Sequence, residues 1–166
     1  MIPIVSIVGR SNTGKTTLIE KVVAELKRRG YRVAVVKHNM NDFEIDSEGK
    51  DTYRHKKAGA DIVIIASSKK VAMIKDVERE YAIAEIRKQF ICDVDLIITE
   101  GYKHDTQPKI EVLISSRGDE PLCHVQDNLI ATVSDTQFNS KVLNFNRDEI
   151  VEITDFLEKR LLRNSV

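Results

Sequence analysis

Short apolar runs alternate along the chain with segments whose apolar residues recur at helical spacing. The first run, Ile4–Val8, is rich in β-branched residues and predicts a strand. Apolar residues in the next segment, residues 16–29, fall on one helical face, and Gly30 follows where a helix would end. Residues 32–37 are continuously apolar in their centre, as in a buried parallel strand. Residues 4–37 are therefore predicted to form a strand, a helix and a second strand.

The same alternation continues to the end of the chain. Residues 39–52 are polar and predict a loop. Further strands are predicted at residues 62–66, 71–75, 94–99, 110–114, 129–133 and 142–143, and further helices at residues 52–60, 81–90 and about 147–162. Asn146 and Glu149 have the spacing of a capping box at the start of the last helix. Strands that alternate with helices predict an α/β domain with a mainly parallel sheet.

The length and net charge of the chain limit its possible domain organisation and binding partners. The chain of 166 residues suits a single domain, residues 1–166. Its 26 basic and 26 acidic residues give a formal net charge of zero, which argues against nucleic acid or a membrane surface as partner. The start of the chain lacks a secretory pattern, so we expect a cytoplasmic protein in which Cys92 and Cys123 stay thiols.

A glycine-rich segment directly after the first strand points to phosphate binding. It matches the pattern G-x-x-x-x-G-K-[ST] at Gly9, Gly14, Lys15 and Thr16. The glycines allow the backbone N–H groups to wrap around phosphate oxygens, and the following helix start adds partial positive charge. Lys15 can reach the outer phosphates, the Thr16 hydroxyl can bind Mg²⁺, and Thr17 can touch the α-phosphate. The motif predicts a three-layer P-loop NTPase fold with helices on both faces of the sheet.

An acidic residue from a second strand is needed to support the magnesium ion, and residues 93–101 offer two. Asp95 begins the predicted strand, whereas Glu100 ends it. Ligands of parallel sheets gather at the carboxyl ends of the strands, so we expect Glu100 to be the magnesium-side carboxylate. The alternative is a solvated carboxylate at a strand end.

The polar segment after the second strand leaves two interpretations open. Asp46, Lys50 and Asp51 resemble a switch-like segment that orders around the γ-phosphate and manages water or metal there. An ordinary solvated loop explains the same residues equally well. The basic cluster at residues 54–57 can likewise be an anion site or a solvated face.

The identity of the base depends on Asp135. The guanine-reading motif N-K-x-D is absent from the sequence, but Asp135 follows a predicted strand in the position of that motif's aspartate. A carboxylate there can accept hydrogen bonds from the ring N–H and amino group of guanine, a pair that adenine lacks. The alternative is a Ser-Asp turn after a strand.

Four segments of the chain carry a family resemblance. They read G-R-S-N-T-G-K-T-T-L, V-V-K-H, F-E-I-D-S-E-G-K-D-T-Y-R-H-K-K-A-G-A and D-L-I-I-T-E-G-Y-K. Together they strongly resemble the MobB family of molybdopterin-guanine dinucleotide biosynthesis adaptors. The resemblance runs from residue 4 to about residue 103 and continues more loosely to residue 135.

The resemblance implies a GTP-binding adaptor with weak GTPase activity. Such a protein helps to attach a guanine nucleotide to molybdopterin or the molybdenum cofactor, works with the guanylyltransferase MobA and forms a homodimer. By position, the residues that would hold phosphates are Gly9, Ser11, Asn12, Thr13, Gly14, Lys15, Thr16 and Thr17. Asp46 and Glu100 would support Mg²⁺ and catalysis, and Lys50, Asp51 and Arg54 would belong to a second polar motif that contacts the partner or cofactor.

Two other function classes fit parts of the sequence. A small-molecule kinase would bind ATP with the same loop, and Arg117 with Gly118 would then be its lid. A metallochaperone GTPase would need clustered metal ligands, whereas His38, His55, His104 and His124 are scattered along the sequence. We rank the adaptor first, the kinase second and the metallochaperone third.

Overall fold

The computed structural model describes residues 1–39, 42–136 and 141–163, and these form two compact units. The larger unit consists of Met1–His38 and Ala82–Val166, and the smaller one is Asn39–Tyr81. The single-domain organisation expected from the sequence stays a prediction. Residues 40 and 41 of the predicted loop lie outside the described residues.

The described residues form eight strands and four α-helices that follow the predicted order. The strands are β1 (Ile4–Val8), β2 (Val33–Lys37), β3 (Ile62–Ala66), β4 (Val71–Lys75), β5 (Leu96–Glu100), β6 (Lys109–Val112), β7 (Leu129–Ser134) and β8 (Leu143–Asn146). The helices are α1 (Lys15–Arg28), α2 (Asp51–Lys57), α3 (Ile83–Phe90) and α4 (Ile150–Leu157).

The larger unit is built on a six-stranded sheet in the order β2-β5-β1-β6-β7-β8. Every neighbouring pair is parallel; for example, Ile4 lies beside Ile97 and Val33 beside Leu96. Because all six strands run the same way, their carboxyl ends meet at one edge of the sheet, where ligands of such sheets bind. The predicted parallel sheet is confirmed.

Helices cover both faces of this sheet. On one face, Leu18 and Leu26 of α1 and Ile153 of α4 pack with buried sheet residues in the main core. On the other face, Ile83 of α3 packs with Ile97. The three-layer P-loop fold predicted from the sequence is therefore confirmed.

The last helix begins later than predicted. Residue 147 was its expected start, but α4 begins at Ile150 and continues as a π-helix, Glu158–Leu162. The cause is that Asn146 ends β8, so the turn must form before the helix can start. Half of the predicted capping box is present, since the Asn146 N–H donates to Glu149 Oε2 at 2.8 Å.

The smaller unit contains α2 and an antiparallel hairpin of β3 and β4. Five large apolar side chains of the hairpin are 42–68% exposed, and they are Ile62, Ile64, Ile65, Val71 and Met73. Ile62, Ile64, Val71 and Met73 lie on one face of the hairpin, and Ile65 lies on the other. A two-stranded hairpin is marginally stable by itself, and an exposed apolar face commonly marks an interface. No helix among the described residues is long and apolar enough to cross a membrane.

An ion-pair network joins α1 to α4. Glu25 accepts hydrogen bonds from Arg28 and Arg29, each at 2.7 Å, and Arg29 Nη1 also reaches Asp155 of α4 at 2.5 Å. The hydrogen bonds from Arg28 and then Arg29 lower the pKa of Glu25 from 4.5 to about 2. The charged form of Glu25 is therefore favoured in the folded protein.

We expect Glu25→Gln to lower the thermal stability at neutral pH. The folded-state pKa lies below the unfolded one, so the stabilisation is full above pH 4.5 and disappears as the pH falls towards about 2. Urea unfolding of both proteins at several pH values should show the difference in unfolding free energy shrinking across this range. Glu20→Gln, at an exposed position of the same helix, is the control. A difference that does not change with pH would contradict the assignment.

Candidate functional site

The phosphate loop lies between β1 and α1, at the carboxyl edge of the sheet. Gly9 has a φ of 139°, and a Cβ placed on it would lie 2.2 Å from the Val112 carbonyl oxygen. Gly14 is left-handed, with a φ of 89°, and caps the start of α1. A side chain at Gly9 would collide with the backbone of β6, so this position requires glycine.

Two side chains of the loop turn back onto its own backbone. The Lys15 Nζ donates to the Arg10 carbonyl oxygen at 2.7 Å, and the buried Thr13 hydroxyl donates to the same oxygen at 2.9 Å. The ammonium group thus lies across the loop and is held by one neutral acceptor. An anionic phosphate oxygen is a stronger partner for an ammonium group than a carbonyl oxygen.

The other predicted phosphate ligands line the outside of the loop and the first turn of α1. Ser11, Asn12, Thr16 and Thr17 are exposed. Asn12 adopts a left-handed conformation, with a φ of 60°. The first N–H groups of a helix lack acceptors within the helix, so those at the start of α1 are available to a bound anion.

Glu100 reaches the phosphate loop from the end of β5. The Thr16 hydroxyl donates to its carboxylate, with distances of 3.1 and 3.3 Å to the two oxygens, and Lys37 Nζ of β2 lies 3.9 Å from Oε1. Asp95, the alternative carboxylate, is at the start of the same strand and accepts a hydrogen bond from the Arg32 N–H at 2.7 Å. The structure thus brings Glu100, rather than Asp95, to Thr16.

The Thr16 hydroxyl and the Glu100 carboxylate are a fitting pair of ligands for Mg²⁺. Both supply hard oxygen atoms, and they lie within hydrogen-bond distance of each other. Across residues 1–39, 42–136 and 141–163, no group of three or more His, Cys, Asp or Glu residues could hold a metal ion. Mg²⁺ typically binds through one or two protein oxygens, water and substrate phosphates, which this pair can support.

The polar segment that precedes α2 belongs to the smaller unit. Asp46 Oδ1 accepts a hydrogen bond from the Ser47 N–H at 2.8 Å, and Asp51 pairs with Arg54 at 3.7 Å. Glu44 and Lys57 form a further pair at 3.9 Å. The expected roles of Asp46 in magnesium binding and catalysis stay predictions.

Asp135 follows β7 and is held by two serines that the sequence analysis missed. Ser115 Oγ donates to Oδ1 at 3.0 Å, the Ser116 N–H donates to the same oxygen at 3.3 Å, and the Ser116 hydroxyl donates to Oδ2. The Ser116 hydroxyl is the main cause of a pKa for Asp135 well below its ordinary value. Asp135 therefore stays a charged hydrogen-bond acceptor. Both serines follow the end of β6, and that position is the signal that could have identified them.

Arg147 is a third residue that the sequence analysis missed. It follows the carboxyl end of β8, and its Nη2 donates to the Leu113 carbonyl oxygen at 2.8 Å. Its Nη1 lies 3.5 Å from the position of a Cβ built on Gly14. An arginine directly after a strand end of a parallel sheet is the signal that the sequence offered.

The sheet order arranges these groups along one edge. The pair of Thr16 and Glu100 lies on the β5 side of the phosphate loop, whereas Asp135 and Arg147 follow β7 and β8 on the opposite side. From the β5 side to the β8 side, the edge thus presents the oxygen pair of Thr16 and Glu100, the phosphate loop and a second polar group. This arrangement can hold a metal-bound nucleoside triphosphate along its length.

Comparisons with known proteins agree with this architecture. The family model described as molybdopterin guanine dinucleotide synthesis protein B, MobB, matches residues 4–135. The molybdopterin-guanine dinucleotide biosynthesis adapter protein of Haemophilus influenzae is 34% identical over 96% of this chain and 90% of its own length. The adapter protein of Escherichia coli is 34% identical over 95% and 92% of the two chains. A crystal structure of molybdopterin-guanine biosynthesis protein B matches 96% of this chain and 99% of its own, with 34% identity and a TM-score of 0.75.

Proposed function

The chain belongs to the MobB family of adapter proteins in molybdopterin guanine dinucleotide biosynthesis, and we propose that it performs this role by binding GTP with Mg²⁺. The observation that carries the proposal is the contact between Thr16 in the first turn of α1 and Glu100 at the end of β5. It joins a phosphate-binding loop to a carboxylate at the ligand-binding edge of a parallel sheet.

The loop supplies the phosphate contacts. The Lys15 ammonium exchanges the Arg10 carbonyl for oxygens of the outer phosphates, while the N–H groups at the start of α1 face the same charge. Thr16 and Glu100 hold the magnesium ion, directly or through water. Bound there, Mg²⁺ supplies neutralisation of the negative charge on the β- and γ-phosphates.

Guanine preference is supported by Asp135. Its carboxylate is kept ionised by the two serines, whose three hydrogen bonds occupy three of its about four lone-pair sites, so accepting two donors from a base requires one serine donor to be displaced. The ring N–H and the amino group of guanine are adjacent donors that match such an acceptor. Adenine has a ring nitrogen without a hydrogen at the equivalent edge. It would leave the Asp135 carboxylate without these donors, so its binding would be disfavoured.

Hydrolysis is proposed to be slow and accessory to the transfer chemistry of a partner. Asp46 and Glu100 are the proposed catalytic residues, and the guanylyltransferase MobA is the proposed partner that acts on the molybdenum cofactor. Cytoplasmic location, inferred from the sequence, is part of the same proposal. A nucleotide-dependent ordering of residues 39–57 would be the signal that the partner reads.

The exposed hairpin supports a homodimer as the working form. The apolar face formed by Ile62, Ile64, Val71 and Met73 would be covered by a second copy of the chain. We expect sedimentation to give twice the mass of one chain, and Ile64→Asp to shift the protein towards the monomer. Val151→Asp, at a 51% exposed position of α4, is the matched control. A monomeric wild-type protein would contradict the dimer.

The test of nucleotide choice is a calorimetric titration of GTP and of ATP, each with Mg²⁺, into the wild-type protein and Asp135→Asn. We expect the wild type to prefer GTP. An asparagine offers one donor and one acceptor, so the variant should instead prefer xanthosine triphosphate, whose ring presents an N–H beside a carbonyl. A wild-type preference for ATP would retain the phosphate loop and favour a kinase. If neither GTP nor ATP binds, the proposed function is wrong.

A further inference from the structure

The guanidinium group of Arg147 lies beside the phosphate loop. Its Nη2 is fixed by the Leu113 carbonyl oxygen at 2.8 Å, just beyond the end of β6. Its Nη1 is 3.5 Å from the position of a Cβ on Gly14, the residue that caps α1. A planar group directly after β8 thus reaches two neighbouring parts of the candidate site.

One buried donor of this group, Arg147 Nε, has no hydrogen-bond partner within the described part of the chain. Buried N–H donors are nearly always paired in folded proteins, and an oxygen of a sugar that packs against the guanidinium could accept from this one. The Leu113 hydrogen bond fixes the side chain through Nη2 and does not use Nε.

The orientation of a bound nucleotide along the sheet edge determines which part of it lies near Arg147. This step rests on the proposed function, in which Thr16 and Glu100 hold the metal on the β5 side of the loop. A magnesium ion held there would neutralise the outer phosphates, so those phosphates would lie on the β5 side and the nucleoside would extend towards the other side. That side is formed by the ends of β6, β7 and β8.

Arg147 and Asp135 are neighbours in this region. Ser134 of β7 pairs with Asn146 of β8, and each of the two charged residues directly follows one member of that pair. Adjacent strands are about 4.8 Å apart, so one base can reach both residues. A carboxylate binds the hydrogen-bond donors along the edge of a purine, whereas a guanidinium plane packs against the ring face.

We propose that Arg147 is a nucleoside-binding residue of this site, whose guanidinium plane packs against the purine ring and sugar of the bound nucleotide. Asp135 selects the edge of the base, and Arg147 binds its face. The arginine thereby takes part in holding the half of the ligand that the phosphate loop does not touch.

The test compares ligands with and without a nucleoside. Magnesium GTP, GDP and inorganic tripolyphosphate are titrated into the wild type, Arg147→Ala, Arg147→Lys and the control Arg160→Ala, which removes an exposed arginine from the C-terminal helical segment. We expect Arg147→Ala to lower GTP and GDP affinity about 10-fold and to leave tripolyphosphate affinity unchanged. Arg147→Lys keeps a positive charge without the planar group and should show most of the same loss. Arg160→Ala should match the wild type.

The other outcomes would contradict either the Arg147 contact or the proposed function. Unchanged GTP affinity in both Arg147 variants would refute the contact. An equal loss for GTP and tripolyphosphate would mean that the arginine only braces the phosphate loop. If Arg147→Ala does not fold, the lysine variant decides by the same two measurements. A wild type that binds tripolyphosphate as tightly as GTP would refute the nucleoside contact alone, whereas one that binds neither would refute the proposed function.

Discussion

Replacing Lys15 with alanine is expected to lower the affinity for magnesium GTP about 10- to 100-fold while the protein stays folded. A hydrogen bond to a charged group contributes about 1.5–3 kcal/mol, and the ammonium group is the strongest such partner in the loop. In the structure its Nζ has the Arg10 carbonyl as hydrogen-bond acceptor, so its removal costs folding little. Calorimetry gives the affinity, and thermal unfolding reports the stability.

The matched control for this variant is Lys21→Ala. Lys21 belongs to the same helix, is 48% exposed and pairs with the exposed Asp148 at 3.3 Å. Its loss removes the same formal charge from α1 but no group of the phosphate loop, so we expect wild-type affinity. An unchanged dissociation constant in Lys15→Ala, or an equal loss in both variants, would contradict a phosphate-binding role for this loop.

Replacing Glu100 with glutamine is expected to reduce magnesium-dependent GTP hydrolysis about 10-fold or more and to weaken binding much less. The amide keeps the shape of the side chain and its contact with Thr16 but loses the negative charge that supports the metal. Loss of one charge-assisted interaction corresponds to about 10- to 100-fold in rate if it acts mainly on the transition state. Phosphate release under saturating GTP measures the rate.

Asp95→Asn provides the control on the same strand. Asp95 is at the start of β5, where its carboxylate accepts a hydrogen bond from the Arg32 N–H, which an amide oxygen can also accept. The hydrolysis rate should equal that of the wild type. If Glu100→Gln hydrolyses GTP at the wild-type rate, the metal support must come from elsewhere, with Asp46 as the next candidate.

Much of the fold was predictable because the sheet is parallel and buried. Strands such as β1 and β5 are mostly apolar and buried, and α1 shows its apolar face at regular spacing. The end of β8 was less predictable. Residues 143–146 alternate between apolar and asparagine residues at the edge of the sheet, so only tertiary pairing with β7 extends the strand to Asn146. Because β8 extends to Asn146, α4 begins later than predicted.

The phosphate side of the candidate site was predictable from local sequence, whereas on the nucleoside side only Asp135 was singled out. Glycines and a lysine at fixed spacing identify the loop, and the strand-end rule distinguishes Glu100 from Asp95. Ser116 and Arg147, in contrast, are distant from the loop in sequence and are brought to it by the order of the strands. A single sequence contains no local pattern that states this order.

The central position of β1 has a consequence for how the protein is made. This first strand pairs with β5 and β6, whose residues are synthesised about a hundred positions later. During translation β1 therefore emerges without either neighbour, and the phosphate loop that follows it reaches its position against Val112 only after β6 has been synthesised. The apolar strand therefore remains unpaired until these neighbours are synthesised, and unpaired apolar segments make nascent chains prone to aggregate. If the loop binds nucleotide as proposed, we expect binding only once the sheet is complete, and a truncated chain that lacks β6 should bind none.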